Sequence, residues 1–434
     1  MIKQFFKYIS QSVAGMIGIS VYILADTFFI SVHSGADGLA VLNLILPFYG
    51  LVYAIGAMIG IGSATRYALN KARQENTDHY FTQSLFWCLI CSIPFILTGI
   101  FCPEKFLRLL GADQNLVQLG TGYLKIVLIT TPLFMMNYTF TAFARNDHAT
   151  SRAMTGAIAG SLFNIVFDYI FMFPMGLGLS GAALATAFSP AVTMLICATH
   201  YVSKKNHVAF KWKKPSFSHL ISCCQLGVSA FVGELSSAII TIIFNMLLLK
   251  IAGNVGVAAY GVIANLSLVA MSIFNGLAQG VQPLISQNYG KGNQEAVQKL
   301  LKWSLLSCLV LEAFTVILSF GFTDSLIGIF NSENNLQLLA YAHDGLRIYF
   351  LGFLFAGINI TLVAYFSATG NALPAITGSL LRGIIAIAFS AVILSWLLGI
   401  NGVWCSFLSS EVITFIVILL LARLRNNAPA IRHR

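Results

Sequence analysis

Apolar runs of about twenty residues or more, separated by short polar or Gly/Pro-marked breaks, fill the chain from end to end. A helix that crosses a bilayer needs ~20 such residues, because the hydrocarbon layer is ~30 Å thick and each residue rises ~1.5 Å. The breaks divide the sequence into twelve stretches of that kind, at residues 8–32, 39–65, 83–102, 119–143, 153–174, 180–203, 219–250, 257–287, 299–322, 340–367, 373–398 and 402–423. Several exceed the minimum, which predicts tilt or extension beyond the bilayer. The pattern predicts an all-α membrane protein of twelve transmembrane helices.

Composition agrees. Apolar side chains make up 57% of the 434 residues and charged ones only 9%, against about 25% charged in soluble domains, and the mean hydropathy is +0.81. A water-soluble enzyme, a nucleic-acid-binding domain and a disordered protein are excluded on these grounds. The net charge of +10 is then a matter of sidedness, since loops on the cytoplasmic face carry the Lys and Arg excess. With the N-terminus inside, that face collects 19 of the 25 basic residues: Lys3, Lys7, Arg66, Lys71, Arg73, Arg145, Arg152, Lys204, Lys205, Lys211, Lys213, Lys214, Lys291, Lys299, Lys302, Arg423, Arg425, Arg432 and Arg434. The other face receives Lys105, Arg108 and Lys250, and Lys125, Arg347 and Arg382 fall within spans. The split predicts a multi-pass protein of the plasma membrane (a bacterial inner membrane) with both termini cytoplasmic. The first stretch carries Asp26 and no small-residue cleavage site, so it reads as a retained helix. The eight cysteines fall almost entirely within spans. Cys88 and Cys91 form a CxxC with no second pair or histidine cluster, so the set reads as apolar filler rather than a metal or redox site.

The sequence also repeats itself at half its length. Gly35-Ala-Asp-Gly38-Leu-Ala40 returns as Gly253-Asn-Val-Gly256-Val-Ala258, Gly62 as Gly280, Met154-Thr155-Gly156 as Ile376-Thr377-Gly378, and Gly178-Leu-Ser-Gly181 as Gly399-Ile-Asn-Gly402. Each half holds six spans, an even number, so both enter the membrane in the same direction, as parallel repeats do. We therefore expect an N-terminal six-helix lobe at 1–203, a basic cytoplasmic linker at 204–218, and a C-terminal six-helix lobe with a short basic tail at 219–434. Two lobes about a central cleft are the architecture of an alternating-access transporter.

Ionisable groups inside a span cost ~2.5–3.5 kcal/mol each on insertion scales, which makes each one a candidate for function. Five acids lie well away from the ends of these spans: Asp26, Asp168, Glu234, Glu312 and Glu411. Tyr22 and Asp26 are four residues apart and share a helix face, as do Asn164 and Asp168; Thr186 lies in a run of small residues that lets helices approach closely. Carboxylates, an amide carbonyl, a hydroxyl and a phenol form an all-oxygen set suited to a hard cation, and two carboxylates held close together could also share a proton. The plainer alternative places Asp26 at a helix end near His33, with Asp168 bonding a neighbouring helix. Mapped through the repeat, Asp26 falls on Phe244, Asn164 on Ala386, Asp168 on Ser390 and Thr186 on Phe407, so any such site is single and belongs to the N-terminal half. Glu234 is a candidate cleft acid for a cationic substrate. Asn137, beside the bendable Thr131-Pro132, is a second candidate substrate contact. Glu312 and Glu411 read as interhelical partners. No P-loop is present, because Gly290-Lys291 is followed by Gly292, so transport must draw on an ion gradient.

These residues resemble the multidrug and toxic compound extrusion (MATE) transporters. The resemblance rests on Leu24-Ala-Asp26-Thr-Phe-Phe-Ile30 with Gly35-Ala-Asp-Gly-Leu-Ala40, Pro47 and Gly60-Ile-Gly62-Ser63. It extends to Asn164-Ile-Val-Phe-Asp168, Gly181-Ala-Ala-Leu-Ala-Thr186, Val257-Ala-Ala-Tyr-Gly261 and Gly280-Val-Gln-Pro283-Leu-Ile-Ser-Gln-Asn-Tyr-Gly290. It implies a MATE-like fold and a secondary antiporter that exports cationic or amphipathic drugs and toxic compounds in exchange for sodium or protons. In the branch this chain resembles, the positions held here by Tyr22, Asp26, Asn164, Asp168 and Thr186 form the coupling-ion site. The expected partners are the substrates and the lipid bilayer, with no nucleic acid; the protein is expected to be a monomer that needs no cofactor and no metal beyond a possible sodium ion. The sequence departs from the family at Gln11, where many members carry proline, and at Gly227-Val-Ser229, where Gly-x-Pro is common. A lipid-linked saccharide flippase of the same superfold is the alternative, and it would want a more basic cleft.

Overall fold

A computed structural model describes residues 1–110, 112–330 and 335–426; Arg432 and Arg434 of the basic tail lie outside the described residues. The polypeptide is helical throughout its long elements. α1 (Ile2–Gly35) and α2 (Asp37–Ala72) are followed by α3 (Tyr80–Phe101), then α4 (Gln114–Ile129), α5 (Thr131–Asn146), α6 (Thr150–Met172) and α7 (Gly178–Tyr201). After the linker come α8 (217–252) and α9 (254–290), α10 (Gln294–Gly321), α11 (Leu336–Phe350) and α12 (Phe353–Ala368). α13 (Ala372–Leu398) contains a π-helical turn at Leu381–Ile385, and α14 (Ile400–Asn426) ends the described chain.

Fourteen long helices make twelve spans among the described residues, because two spans are broken; the short helices Pro103–Leu109 and Thr323–Gly328 lie between spans. α4 and α5 meet at a 43° bend and α11 and α12 at a 44° bend, where the sequence pattern predicts single helices at 119–143 and 340–367. The first break falls at Thr131-Pro132; Pro132 has no N–H to continue a helical ladder and is tolerated here because it sits in the first turn of α5. The second break has no proline and falls at Leu351-Gly352, which sequence alone does not mark.

The repeat is a feature of the backbone as well as of the sequence. Gly35 and Gly253 turn the chain between the first and second spans of each half with φ of 57° and 63°, a region that side chains with a Cβ rarely adopt. Gly178 and Gly399 do the same at the start of α7 and α14, and the two bends stand at equivalent positions in the two lobes. Each lobe has its own apolar core. In the first, Tyr49, Val52, Tyr123, Leu124, Val127 and Phe134 pack together; in the second, Phe244, Tyr260, Phe274, Tyr349, Phe353, Trp404 and Phe407 do. Large apolar side chains such as Leu195, Ile317, Phe389 and Trp396 stand outward at 67–84% exposure, as lipid-facing residues do.

The lobes meet along α1 and α2 against α8 and α9, and glycines set the distance. A Cβ on Gly62 would fall on the Cys223 carbonyl and one on Gly227 on the Met58 carbonyl; one on Gly276 would stand 2.6 Å from Val13 Cα, and one on Gly280 2.8 Å from the Tyr8 carbonyl oxygen. These contacts all lie in the half of the molecule that carries the N-terminus. Polar bonds close the same end: Arg145 Nη1 donates to Gln279 Oε1 (2.5 Å), Gln282 Nε2 to Thr65 Oγ1 (3.0 Å) and Gln287 Nε2 to the Asn146 carbonyl (2.7 Å).

Candidate functional site

Small residues seat α1 on α6. Gly15 lies against Ala157 and Gly18 against Ser161, so the backbones come together with ordinary van der Waals spacing. Two turns further along α1, this approach brings the carboxyl of Asp26 within hydrogen-bonding reach of Asp168. Asp26 is 8% exposed and Asp168 and Asn164 are fully buried. With its amide oriented by its neighbours, Asn164 Nδ2 donates to Asp168 Oδ2 (3.1 Å) while its Oδ1 accepts from Thr186 Oγ1 (3.1 Å) and from the Thr186 amide (3.2 Å). Tyr22 stands one turn from Asp26, near enough to feel its charge and that of Asp168. The five residues singled out in sequence thus share one locality within the N-terminal lobe. His33 is not part of it; its ring bonds Ser34 (2.9 Å) and packs on Phe173.

Two features of this cluster matter chemically. Oδ1 of Asp26 and Oδ1 of Asp168 have no hydrogen-bond partner, and among the described residues neither carboxylate forms an ion pair. Two adjacent carboxylates away from water repel each other and lose hydration together, so they cannot both stay anionic unless a cation or a proton lies between them.

From this cluster a series of tyrosines leads to the lobe interface. Tyr22 lies against Tyr53 of α2, the Tyr53 ring packs on Tyr138 of α5 at 6.3 Å, and Tyr138 Oη donates to Glu234 Oε1 of α8 (2.9 Å). This bond joins the two lobes about 10 Å deeper than Arg145, seven residues along the same helix at ~1.5 Å each. Tyr49 and Phe134 complete an aromatic wall, with ring centroids 5.6–5.8 Å apart from Tyr53 and from each other. The second candidate contact, Asn137, precedes Tyr138 and leaves its Oδ1 without a partner. Sequence reasoning missed Tyr138 and Tyr53. The spacing of Tyr49 and Tyr53 on one face of α2 was the available signal, and nothing near Glu234 in the chain announces a partner 96 residues away.

The MatE family model matches the chain twice, at residues 12–170 and 230–392, once in each half. The chain belongs to the MatE family. It is accordingly a membrane transporter and not an enzyme. Curated relatives include Multidrug export protein MepA of Staphylococcus saprophyticus, 27% identical over 93% of this chain and 89% of that protein, and MepA of Staphylococcus haemolyticus, 26% identical over 94% and 90%. Among solved structures, a MATE protein in complex with MaL6 superposes with a TM-score of 0.91 at 23% identity, covering 98% of this chain and 96% of that one. The outward-facing conformation of a multidrug resistance MATE transporter gives 0.88 at 23% identity, covering 96% and 95%. At these identities the structural likeness establishes the fold.

Proposed function

We propose that this MatE transporter is a secondary antiporter of the plasma membrane that exports cationic or amphipathic compounds in exchange for sodium or protons. The observation that carries the reading is the Asp26–Asp168 contact, two buried carboxyls within reach of each other, each with an unpartnered oxygen and without a base. In this reading Tyr22, Asp26, Asn164, Asp168 and Thr186 hold the coupling ion. The naming of the MepA relatives as multidrug export proteins supports the direction and breadth of transport.

The substrate side follows from the aromatic wall and Glu234. Tyrosine faces attract a cation with ~0.5–2 kcal/mol apiece, and a carboxylate supplies the countercharge. Glu234 is already bonded to Tyr138 through Oε1, so an incoming cation meets a carboxylate whose charge is partly drawn off by the phenol. Asn137 offers its free carbonyl beside them. The lobes, residues 1–203 and 219–434 joined by the linker 204–218, act as the two bodies that rock about this locus. With both termini cytoplasmic, the observed contacts close the inner end, and the cycle runs by opening the glycine-lined seam. Ion arrival at Asp26–Asp168 and substrate departure from Glu234 are then linked through Tyr22, Tyr53 and Tyr138.

A flippase for pyrophosphate-linked saccharides would need free positive charge in the cleft. Of the three basic residues within spans, Arg382 is paired with Glu411, Lys125 lies exposed on α4, and Arg347 is held within the C-terminal lobe by Thr323 and the Phe320 ring. The deciding experiment is efflux of a fluorescent organic cation from proteoliposomes under separately imposed sodium and pH gradients; transport that ignores both gradients would overturn the antiport reading.

A further inference from the structure

The C-terminal lobe buries its own pair of acids, at positions unrelated through the repeat to Asp26 and Asp168. Glu312 of α10 and Glu411 of α14 are each 1% exposed and reach the same stretch of α12 from two sides. Glu312 Oε1 accepts from the Ile358 amide (2.9 Å), and Glu411 Oε2 accepts from Asn359 Nδ2 (2.7 Å). The two are close enough for each charge to act on the other. Gly357 makes this possible, since a Cβ there would stand 2.7 Å from Glu312 Oε1. Arg382, in the π-helical turn of α13, donates from Nη2 to Glu411 Oε1 (2.8 Å).

Counting charge decides what is missing. Arg382 neutralises Glu411, and Glu312 is left with Oε2 unpartnered and no cation beside it. Asn359, fully buried and bonded into the cluster through its amide nitrogen, also leaves Oδ1 unpartnered. The other titratable groups near the cluster are Cys308, one turn from Glu312 on α10, and Tyr349 of α11, which faces Glu411 and Arg382. Phe274 covers Gly357 from α9 and carries no charge. A buried carboxylate without a partner is strongly disfavoured. Two free oxygens are too few to replace the hydration shell of a metal cation, whereas a proton needs only one.

We propose that Glu312 is a second proton-binding site, in the core of the C-terminal lobe, separate from the coupling-ion cluster of the N-terminal lobe. Its proton sits on Oε2, the oxygen turned away from the Ile358 amide. The site gives the C-terminal lobe a titrating group of its own, whichever ion the N-terminal cluster takes.

Infrared difference spectroscopy on the purified full-length protein, reconstituted in lipid and stepped in pH, tests this. The background variant Asp26→Asn/Asp168→Asn/Glu234→Gln removes the other membrane carboxyls that have no base beside them. In it, one protonated-carboxyl C=O band is expected to remain, to shift on deuteration, and to vanish when Glu312→Gln is added. Persistence of that band after Glu312→Gln, or its absence from the background variant, overturns the proposal. Glu411→Gln is the control: it strands Arg382 and should lower stability while the Glu312 band survives, so loss of that band only through misfolding is recognised by the thermal unfolding of each variant. Replacing choline by sodium should leave the band unchanged, and its sodium-dependent loss would identify a metal site instead.

Discussion

Asp26 and Asp168 pose a problem of charge before one of geometry. Each lies in a helix that spends most of its length in hydrocarbon, and each turns one oxygen toward no donor at all. Replacing either by asparagine keeps the shape and removes one charge from the pair. Asp26→Asn and Asp168→Asn should each weaken ion binding by at least about tenfold, about 1.4 kcal/mol, and abolish resistance to cationic dyes at unchanged membrane expression. Resistance assays beside quantitative blotting check this. Tyr138→Phe is a milder change. It removes a bond to a carboxylate worth about 1.5–3 kcal/mol and frees Glu234, so affinity for an organic cation should rise while exchange slows, as read by binding titration against efflux rate. The sequence disclosed the first pair because four-residue spacing places Tyr22 with Asp26, and Asn164 with Asp168, on one face of one helix. Glu234 was visible as an acid in a span, but its partner Tyr138 sits on another lobe, and spacing along a chain says nothing about which faces of distant helices meet. The same limit hid the pairing of Arg382 with Glu411.

At the scale of helices, glycine does most of the positioning. α2 uses one set of glycines to approach α5, where a Cβ on Gly56 would stand 2.7 Å from Met135 Cα and one on Gly60 2.6 Å from the Thr139 amide nitrogen, and Gly62 to approach α8. The same helix thereby carries Tyr53 against Tyr138 and closes the seam between lobes. A valine at Gly227 cannot be accommodated against the Met58 carbonyl without separating α2 from α8. Gly227→Val should therefore hold the inner end apart. Cysteines at Thr65 and Gln282, whose side chains bond in the closed arrangement, should cross-link several-fold less in that variant, in a cysteine-free background. Undiminished cross-linking would mean the seam is not what sets the spacing. The glycines and their recurrence at half-length were legible in the sequence, and so were the spans. The bend at Leu351-Gly352 was not, since it lacks a proline and shows only in its equivalence to the break at Thr131-Pro132.

For the whole molecule, the two halves share a backbone and differ in charge. The N-terminal lobe holds the Asp26–Asp168 pair without a base; the core of the C-terminal lobe holds Glu312 and Glu411 with one arginine, and its third acid, Glu234, faces the other lobe through Tyr138. Neither set maps onto the other through the repeat, so the equivalence of the two halves is one of backbone and not of buried charge. The repeat, the span count and the distribution of lysine and arginine all follow from periodicity and composition, and could be read without coordinates. Which end is closed depends on packing and could not. The central claim, that occupancy of Asp26–Asp168 drives export, is tested most directly by loading proteoliposomes with a fluorescent organic cation and imposing an inward gradient of sodium or of protons, one at a time, on wild-type protein and on Asp26→Asn. At least one gradient should accelerate wild-type efflux, with collapse of that gradient by an ionophore abolishing the gain and Asp26→Asn showing none. Gradient-driven efflux undiminished in Asp26→Asn would contradict the account.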